Sequence, residues 1–375
     1  MRVLFFVLSL VFTSLVNCQT IRVSLFDNRD KGSVIVKGLS DKSYLLLDDS
    51  LLFFLSQEEQ CVIQKSRSNS LKINLDSQVY YCQNARLFSE EKENSFKFYL
   101  NNNSKYRYYK GSFDFYLFNN ELKIINDVLV ETYLEGVLES ESGYSENHEY
   151  YKVQAIISRT YALKNRGRHA LESFDLCDGV HCQAYYHQGS GKPVLIESIH
   201  QTKGQILSSD KANFMPIFFH SNCGGQTSRP EDIWNSSING YYSVQDTFCK
   251  LSSQAKWEKR ISFHDWKNHL VEQYHIDAFD DYSDELLRSF TQNDRKIFLF
   301  DPKYGIPLTN IRNAFQLKST FFNVHKDGEF VVLKGKGFGH GVGLCQQGAM
   351  KMSRMGYDAT SILKYYFPQA EIHSQ

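Results

Sequence analysis

Short runs of alternating apolar and polar residues dominate the chain from Ile21 to about Tyr109. In each run every second side chain is apolar, as in a half-buried strand, and clusters of Asp, Asn, Gly and Ser separate the runs. No stretch of this region keeps the helical period over a convincing length. The pattern therefore predicts a β-rich N-terminal module, built from the runs IRVSLF, GSVIVKG, SYLLLDD, SLKINL and SFKFYL.

The pattern changes after residue 110. GSFDFYLFNNELKIIN predicts two paired strands with Asn119 and Asn120 at the turn, and helical patterns mixed with strands follow it. We therefore expect an α+β fold, with a smaller β-rich module at residues 19–110 and a mixed core of sheets and helices at residues 111–375.

The clearest helix lies in ENHEYYKVQAIISRTYALKNRG. Its residues share one face at the helical period: Val153, Ile156, Ile157, Thr160 and Tyr161. Asn147 is the predicted N-cap, and Gly167 is the predicted stop.

Four acidic residues precede this helix in ETYLEGVLESESG, namely Glu131, Glu135, Glu139 and Glu141. Such a cluster usually forms a solvated face, and spacing alone does not choose a catalytic residue among the four.

The charge of the chain is balanced, with 42 Lys and Arg residues against 42 Asp and Glu residues. Balanced charge provides no field for holding nucleic acid or an anionic membrane surface, so no nucleic-acid partner is expected. The aromatic content of 14% fits sheet packing, with sugar stacking as the alternative.

The N-terminus predicts export. In MRVLFFVLSLVFTSLVNCQT a basic residue precedes an apolar run that is short for a membrane span, as in a signal peptide. We assign residues 1–18 to this signal and expect the mature protein in the periplasm or cell envelope. The letters LVNC are similar to a bacterial lipobox, although Asn17 departs from its usual small residue. The alternatives are lipidation of Cys18, simple cleavage of the signal, and retention of the signal as a membrane anchor. Membrane contact is expected only through this segment.

Export changes how the eight cysteines are interpreted, because disulfides persist in oxidising compartments. Cys61 and Cys82 are the only two in the N-terminal module, and a local bridge between them is plausible.

The stretch VLVETYLEGVLESESGYSENHEYYKVQAIISRTYAL resembles the SpoIID/LytB family of bacterial sporulation and cell-wall proteins. The family pattern is approximately L-E-x-Y-L-x-G-V-x-x-x-E-M-P, a short gap, and then E-A-L-K-A-Q-A-V-A-A-R-T-Y-A. The likeness continues through FFHSNCGGQTSRPEDIW, IRNAFQLKSTFFNV and GKGFGHGVGLCQQGA. The main departure is Ser142-Gly143, where the family has Met-Pro. The matching positions are Leu129, Glu131, Tyr133, Leu134, Gly136, Val137, Glu141, Glu149, Lys152, Gln154, Ala155, Arg159, Thr160, Tyr161 and Ala162.

The resemblance implies that Glu141 is the catalytic glutamate of a lytic transglycosylase acting on peptidoglycan strands that lack stem peptides. One carboxyl group protonates the glycosidic oxygen and then accepts the proton of the C6 hydroxyl, which attacks the anomeric carbon to give a 1,6-anhydro product. This scheme needs no second carboxylate, unlike that of ordinary glycosidases. We expect Glu141 to be partly buried, which would raise its pKa toward the working pH.

The resemblance also implies a glycan groove. In GKGFGHGVGLCQQGA glycine occupies every second position from Gly335 to Gly343, so an extended chain would leave one face as bare backbone. A sugar ring could approach such a face, or another part of the protein packs there. His340 is structural or adjacent to the site. The predicted substrate-binding residues are Arg159, Tyr161, His220, Ser221, Gly224, Gly225, Thr227, Gly339, His340, Gln346 and Gln347.

Some SpoIID relatives bind zinc at the motif that corresponds to FDLCDGVHCQAYYHQ. The resemblance implies a structural zinc on Cys177, His181 and Cys182, completed by His169 or, alternatively, by His187. A disulfide or reduced thiols near a turn are the other interpretation. A closed set of four ligands leaves no position for an activated water, so this metal would not be catalytic.

Some relatives have cysteines at the places of Cys223 and Cys249. The resemblance favours a disulfide between Cys223 and Cys249, with Cys345 as the rival partner of Cys223.

Two functions follow from the resemblance. In the first, Glu141 cleaves glycan strands. In the second, the protein binds glycan or a cell-wall amidase and stimulates the amidase without cleaving anything itself.

Overall fold

The computed structural model describes residues 19–374 apart from residues 28, 40–41, 58, 91–94, 102, 104, 143–146, 188, 190, 211–212, 253, 277–284, 286 and 301–304. The predicted signal and Cys18 lie outside the described residues. The chain forms two compact units, the first from residues 1–133 and 166–188 and the second from residues 134–165 and 189–375. The α+β class predicted from the sequence is confirmed, with about 27% helix and 37% strand.

The first unit is built on two sheets. The seven-stranded sheet has the order β13-β1-β12-β11-β8-β3-β4, and the six-stranded sheet has the order β10-β9-β2-β5-β6-β7. Their strands are β1 Thr20–Ser24, β2 Ser33–Gly38, β3 Ser43–Leu47, β4 Leu51–Leu55, β5 Gln60–Lys65, β6 Leu71–Leu75, β7 Gln78–Cys82, β8 Asn84–Ser89, β9 Ser95–Leu100, β10 Tyr106–Lys110, β11 Ser112–Phe118, β12 Glu121–Leu129 and β13 Leu176–Cys177. A short 3-10 helix spans Ala170–Glu172.

The predicted hairpin is present. Strands β11 and β12 pair from Phe118↔Glu121 onward, and Asn119 and Asn120 both have positive φ, of 47° and 68°. Two successive left-handed residues make the turn whose twist matches that of the strands, and asparagine tolerates this conformation well. Both strands lie in the first unit, together with the strands that precede residue 110.

Among its described residues the second unit mixes eight helices, the first of which begins in the first unit, with four small sheets. Their orders are β15-β14-β24, β16-β23, β17-β22-β21-β18 and β19-β20. The helices described are α1 Val130–Ser142, α2 His148–Lys164, α3 Pro193–Gln201, α4 Pro230–Trp234, α5 Phe263–Tyr274, α6 Leu308–Ala314, α7 Gln346–Arg354 and α8 Ala359–Tyr366. The strands are β14 Gln205–Asp210, β15 Asn213–Phe214, β16 Phe219–His220, β17 Lys256–Ser262, β18 Ser289–Phe290, β19 Phe298–Leu299, β20 Ile306–Pro307, β21 Phe322–Asp327, β22 Phe330–Lys336, β23 Leu344–Cys345 and β24 Glu371–Ser374.

Helix α2 follows its predicted start. The Asn147 side chain accepts a hydrogen bond from the Tyr150 N–H group, which satisfies one of the free donors at the helix start. The helix ends at Lys164 with Asn165 as its C-cap, slightly before the predicted stop at Gly167. Its polar residues Gln154 and Ser158 are also fully buried, so the helix is enclosed rather than amphipathic.

No helix within the described residues is long and apolar enough to cross a membrane.

Candidate functional site

A short parallel strand pair brings two separate segments of the second unit to one edge. Strand β16 pairs with β23 in the register Phe219↔Leu344 and His220↔Cys345. Because parallel strands end at the same edge, the Ser221 turn after β16 and the start of α7 after β23 emerge side by side. This pairing explains how residues far apart in the sequence meet.

Helix α7 begins against both the Ser221 turn and the end of α1. The Gln347 N–H group donates to the Ser221 carbonyl at 3.1 Å, and the Gln347 side-chain oxygen accepts from the Asn222 amide at 2.8 Å. The Gln346 amide donates to the backbone carbonyl of Glu141 at 3.4 Å. Glu141 is half-buried in the last turn of α1, which agrees with the partial burial expected from the sequence. The structure therefore brings the Glu141 segment to the predicted Ser221, Gln346 and Gln347.

His340 is held by its own loop as a neutral ring. Its Nδ1 atom accepts from the Val342 N–H group at 3.0 Å, so Nε2 carries the proton and donates to the Phe219 carbonyl at 3.1 Å. Burial lowers the pKa of His340 to about 4, and the nearby Arg312 charge acts in the same direction. Near neutral pH this histidine orients a loop and does not serve as a proton donor.

His220 lies beside His340, with 5.5 Å between the ring centroids. Its Nδ1 atom lies 3.1 Å from the Val342 carbonyl, to which a protonated Nδ1 donates. Burial lowers the pKa of His220 well below its usual value, and the neighbouring His340 adds to this effect. His220 is 4% exposed, so it stabilises the loop from beneath.

Trp234 is a surface residue of this region that the sequence analysis did not select. Its ring lies 5.2 Å from His340 and 4.7 Å from Phe218, and 42% of the residue is exposed. An exposed indole beside a polar ring is a suitable platform for a sugar. The signal in the sequence was the aromatic end of PEDIW, which the residues QTSR separate from the HSNCGG motif.

The interpretation of the alternating glycines as a bare strand face is wrong. Strand β22 ends at Lys336, and Gly337, Gly339, Gly341 and Gly343 have positive φ, so the chain beyond the strand is not extended. The space that a Cβ would need is filled by protein at each position. The neighbours are the Trp257 ring at Gly335, backbone of residues 222–224 at Gly337, His220 at Gly339, Ser228 and Arg295 at Gly341, and the Phe218 carbonyl at Gly343. The glycines serve internal close packing.

The HSNCGG turn is constrained by its own contacts. Gly224 and Gly225 have φ of 73° and 110°, and a Cβ at Gly224 would lie 2.7 Å from the Lys336 Cβ atom. Thr227 is buried, and its hydroxyl accepts from the Val244 N–H group at 2.7 Å. These residues shape the turn, and of the predicted set only Ser221 and Gly224 there are partly exposed.

The predicted disulfides do not form in the described structure. Cys61 and Cys82 are free buried thiols, and the same holds for Cys223, Cys249 and Cys345. Cys61 and Cys82 lie on β5 and β7, which are separated by β6, so the sheet keeps them on non-adjacent strands.

Arg159 and Tyr161 lie inside the second unit. Arg159 is 1% exposed and donates to the Gln205 carbonyl at 3.0 Å, while Tyr161 is 8% exposed. These positions differ from the surface contacts expected of substrate-binding residues. The arginine instead joins α2 to β14.

In the first unit the predicted metal ligands come together. The ligand atoms of His169, Cys177, His181 and Cys182 all lie within 4.8 Å of one another. The Cys182 sulfur is 3.5 Å from His169 Nε2 and 3.6 Å from His181 Nδ1, and the Cys177 sulfur is 3.7 Å from that same Nδ1. The alternative ligand His187 is not in this group. We name these four residues the His169 cluster.

Contacts around the His169 cluster fit a metal centre. His169 directs Nε2 at Cys182, while its Nδ1 atom lies 3.6 Å from the Glu172 carboxylate. Metal-binding histidines commonly have a carboxylate beside their second ring nitrogen, as His169 does here. Stacking of the His169 ring on Phe174, at 4.6 Å between centroids, fixes its orientation further. Two thiols and two imidazoles are a typical donor set for tetrahedral zinc.

Residues 118–208 match the model of the SpoIID family, described as Stage II sporulation protein, and this segment contains Glu141 and the His169 cluster. The chain is 25% identical over 372 residues to an uncharacterised protein of Brachyspira hyodysenteriae, covering 95% of this chain and 93% of that protein. It is 26% identical over 296 residues to the amidase enhancer of Bacillus subtilis, covering 64% of this chain and 40% of that protein. It is 25% identical over 265 residues to stage II sporulation protein D of Bacillus amyloliquefaciens, covering 66% of this chain and 75% of that protein.

Proposed function

We propose that this chain, which is similar to SpoIID-family and amidase-enhancer proteins and shares their link to the cell wall, is a lytic transglycosylase with Glu141 as its single general acid and base. Its substrate is peptidoglycan glycan without stem peptides. The protein acts outside the cytoplasm after export, and its N-terminal signal or a lipid on Cys18 supplies any membrane contact.

The observation that carries the proposal is the position of Glu141. It ends α1 beside the first turn of α7, where Gln346 contacts its carbonyl. The carbonyl end of a helix disfavours an anion, which suits a side chain that must first donate a proton. Half-burial also excludes part of the solvent that would otherwise stabilise the charged form.

The reaction requires one carboxyl group throughout. The Glu141 carboxyl donates its proton to the glycosidic oxygen as the bond to the anomeric carbon breaks. The resulting carboxylate then accepts the proton of the C6 hydroxyl, whose oxygen bonds to that anomeric carbon. The enzyme returns to its starting state, the leaving strand gains a hydroxyl, and the new end is a 1,6-anhydro sugar. No water is consumed, so no second carboxylate is required.

Neighbouring side chains hold the sugar rather than transfer protons. Trp234 offers an apolar face for a ring, and the partly exposed Ser221 and Gln347 offer groups for its hydroxyls. The neutral His340 keeps its loop in place beside Trp234.

The His169 cluster holds a structural zinc in this proposal. Four protein ligands close the coordination shell, so the metal supplies folding energy and no activated water. Glu172 orients His169 for it.

The decisive test is digestion of amidase-treated glycan strands, with mass spectrometry of the products. We expect 1,6-anhydro-muramyl ends, and a rate lower by about 10²- to 10⁴-fold for Glu141→Gln, because the proton donor is lost. Glu135→Gln is the matched control, since Glu135 is a half-buried acid on the same helix. Equal rates for wild type and Glu141→Gln would contradict the role of Glu141.

A second candidate function is stimulation of a cell-wall amidase without cleavage. Similarity to the amidase enhancer of Bacillus subtilis and the Ser142-Gly143 pair favour it. The same preparation should then release no anhydro ends but should accelerate stem-peptide removal by an added amidase. The Glu141→Gln variant should stimulate the amidase as strongly as wild type.

A further inference from the structure

A second cluster of metal-binding side chains lies in the second unit, beneath the Ser221 turn. The ligand atoms of Cys223, Asp246, Cys249 and Cys345 all lie within 4.8 Å of one another. All three cysteines and the aspartate are 0% exposed. We name these four residues the Cys223 cluster.

Three segments of the chain build this cluster. Cys223 follows β16, and Cys345 ends the paired strand β23, so the parallel pair that positions the candidate site also positions two sulfurs. Asp246 and Cys249 share one tight turn, in which the Asp246 Oδ1 atom accepts the N–H groups of Phe248 at 2.8 Å and Cys249 at 3.3 Å. That turn leaves Asp246 Oδ2 directed at the sulfurs, 3.3 Å from Cys223 Sγ.

We propose that the Cys223 cluster binds a zinc ion through three thiolates and one carboxylate oxygen. Tetrahedral zinc with bonds of about 2.3 Å to sulfur separates its sulfurs by about 3.8 Å. The Cys223 and Cys249 sulfurs lie 3.4 Å apart, so small movements complete the geometry. Thiolate-rich tetrahedral sites select zinc over magnesium and calcium, which prefer oxygen.

The surroundings are those of a structural metal centre. The Cys223 N–H group donates to the Cys345 sulfur at 3.3 Å. Such donors stabilise thiolate ligands. Full burial and four protein ligands leave no open position, so the metal has no catalytic role.

Two neighbours complete the outer shell. The Tyr366 hydroxyl donates to Asp246 Oδ2 at 3.0 Å, which orients the carboxylate. The Arg295 guanidinium donates to the Cys223 carbonyl at 2.7 Å and offsets the negative charge that three thiolates and a carboxylate leave after binding one divalent ion. A Cβ at Gly348 would lie 2.1 Å from the Tyr366 hydroxyl and 2.3 Å from Asp246 Oδ2, so only glycine fits there.

A disulfide would engage only two of the four side chains of the cluster. Oxidation of any two sulfurs leaves the third thiol and the buried Asp246 without a shared ligand, whereas one zinc uses all four groups. The zinc would also join the Ser221 turn to the start of α7, which lies directly after Cys345.

The test is the zinc content of the full-length protein, purified without chelator and measured by inductively coupled plasma and native mass spectrometry. If both clusters bind, wild type carries two zinc ions per chain, Cys249→Ser carries one, and Cys249→Ser with Cys182→Ser carries none. Cys61→Ser is the matched control, a buried free thiol outside both clusters, and should retain two. If only the Cys223 cluster binds zinc, wild type and Cys182→Ser should each carry one ion and Cys249→Ser none. Failure of the zinc proposed for the His169 cluster can therefore be distinguished from failure of the zinc proposed here.

Cobalt provides a second readout that does not depend on Cys249→Ser folding. Cobalt-loaded Asp246→Cys should fold with a fourth thiolate and show a sulfur-to-cobalt absorption band from this cluster about one third stronger than wild type. Alkylation under denaturing, non-reducing conditions with chelator should modify Cys223, Cys249 and Cys345 in wild type. If two of these three cysteines stay unmodified and the protein mass is two hydrogens below that of the reduced chain, they form a disulfide and the proposal is wrong. Unchanged zinc content in Cys249→Ser would also overturn it.

Discussion

The two cysteine clusters differ in how far apart their ligands lie in the sequence. The His169 cluster takes its ligands from residues 169–182, and His181 is exposed there. The Cys223 cluster takes its ligands from residues 223 to 345, and all of them are buried. A compact loop can gather the first set locally, whereas the second set exists only after β16 has paired with β23. Loss of the first should therefore act locally, and loss of the second should act on the whole second unit.

The largest effect is expected from Cys345→Ala. We expect it to lower the free energy of unfolding of the second unit by at least about 4 kcal/mol, because it removes a buried metal ligand and leaves three others unpaired. Chemical denaturation of the zinc-loaded protein measures the change, with Cys61→Ala as the control for loss of a buried thiol. A loss no greater than that of the control would abolish the contrast between the clusters.

Cys182→Ala should have a smaller and more local effect. We expect a loss of about 2–3 kcal/mol, with faster hydrogen exchange confined to residues 169–182, because these ligands close only a short loop. Glycan binding should not change. Faster exchange spreading to residues 223–249 would show that the two clusters are not independent.

Acid should destabilise the second unit through protonation of His340, which is not a ligand of either cluster. The folded pKa of His340 is about 4, below the value of about 6.5 for an unfolded histidine, so the unfolded chain binds a proton first. Stability from this residue is therefore present above about pH 6.5 and is lost as the pH falls toward 4. Wild type should lose about 2 kcal/mol more than His340→Gln between pH 7 and pH 5 in urea unfolding. Equal losses would mean that His340 is protonated without cost in the folded state.

Trp234→Ala should produce the smallest change in stability. Trp234 is 42% exposed and its ring contacts Phe218 and His340, so we expect stability to fall by about 1 kcal/mol, while affinity for glycan strands falls about tenfold through loss of stacking. Calorimetric titration with amidase-treated strands measures the affinity. An unchanged affinity would remove Trp234 from the candidate site and leave Ser221 and Gln347 as its polar contacts.

Local patterns predicted the parts of the structure that are built locally. Asn147 caps α2 as its sequence indicated, and the Asn119-Asn120 turn forms because each asparagine adopts positive φ. The His169 cluster, which the family resemblance indicated, is also built locally, since its ligands are near neighbours in the chain.

The remaining features depend on long-range pairing. Cys345 meets Cys223 only through the β16-β23 register, and the sequence instead favoured a disulfide between Cys223 and Cys249. The alternating glycines follow the period of a strand, but beyond Lys336 they take positive φ and pack against protein. Arg159 fits the family motif, yet its position in α2 buries it, which no local pattern could reveal.

The return of the chain to the first unit at residues 166–188 constrains the order of folding. Strand β1 accepts β13 as its parallel neighbour at Val23↔Leu176, so this edge of the seven-stranded sheet stays open until residues 176 and 177 reach it. The folding chain must therefore carry α1 and α2 while its first sheet is still incomplete. An exposed β1 edge on the partly folded chain is a site where a chaperone can bind or where two such chains can pair.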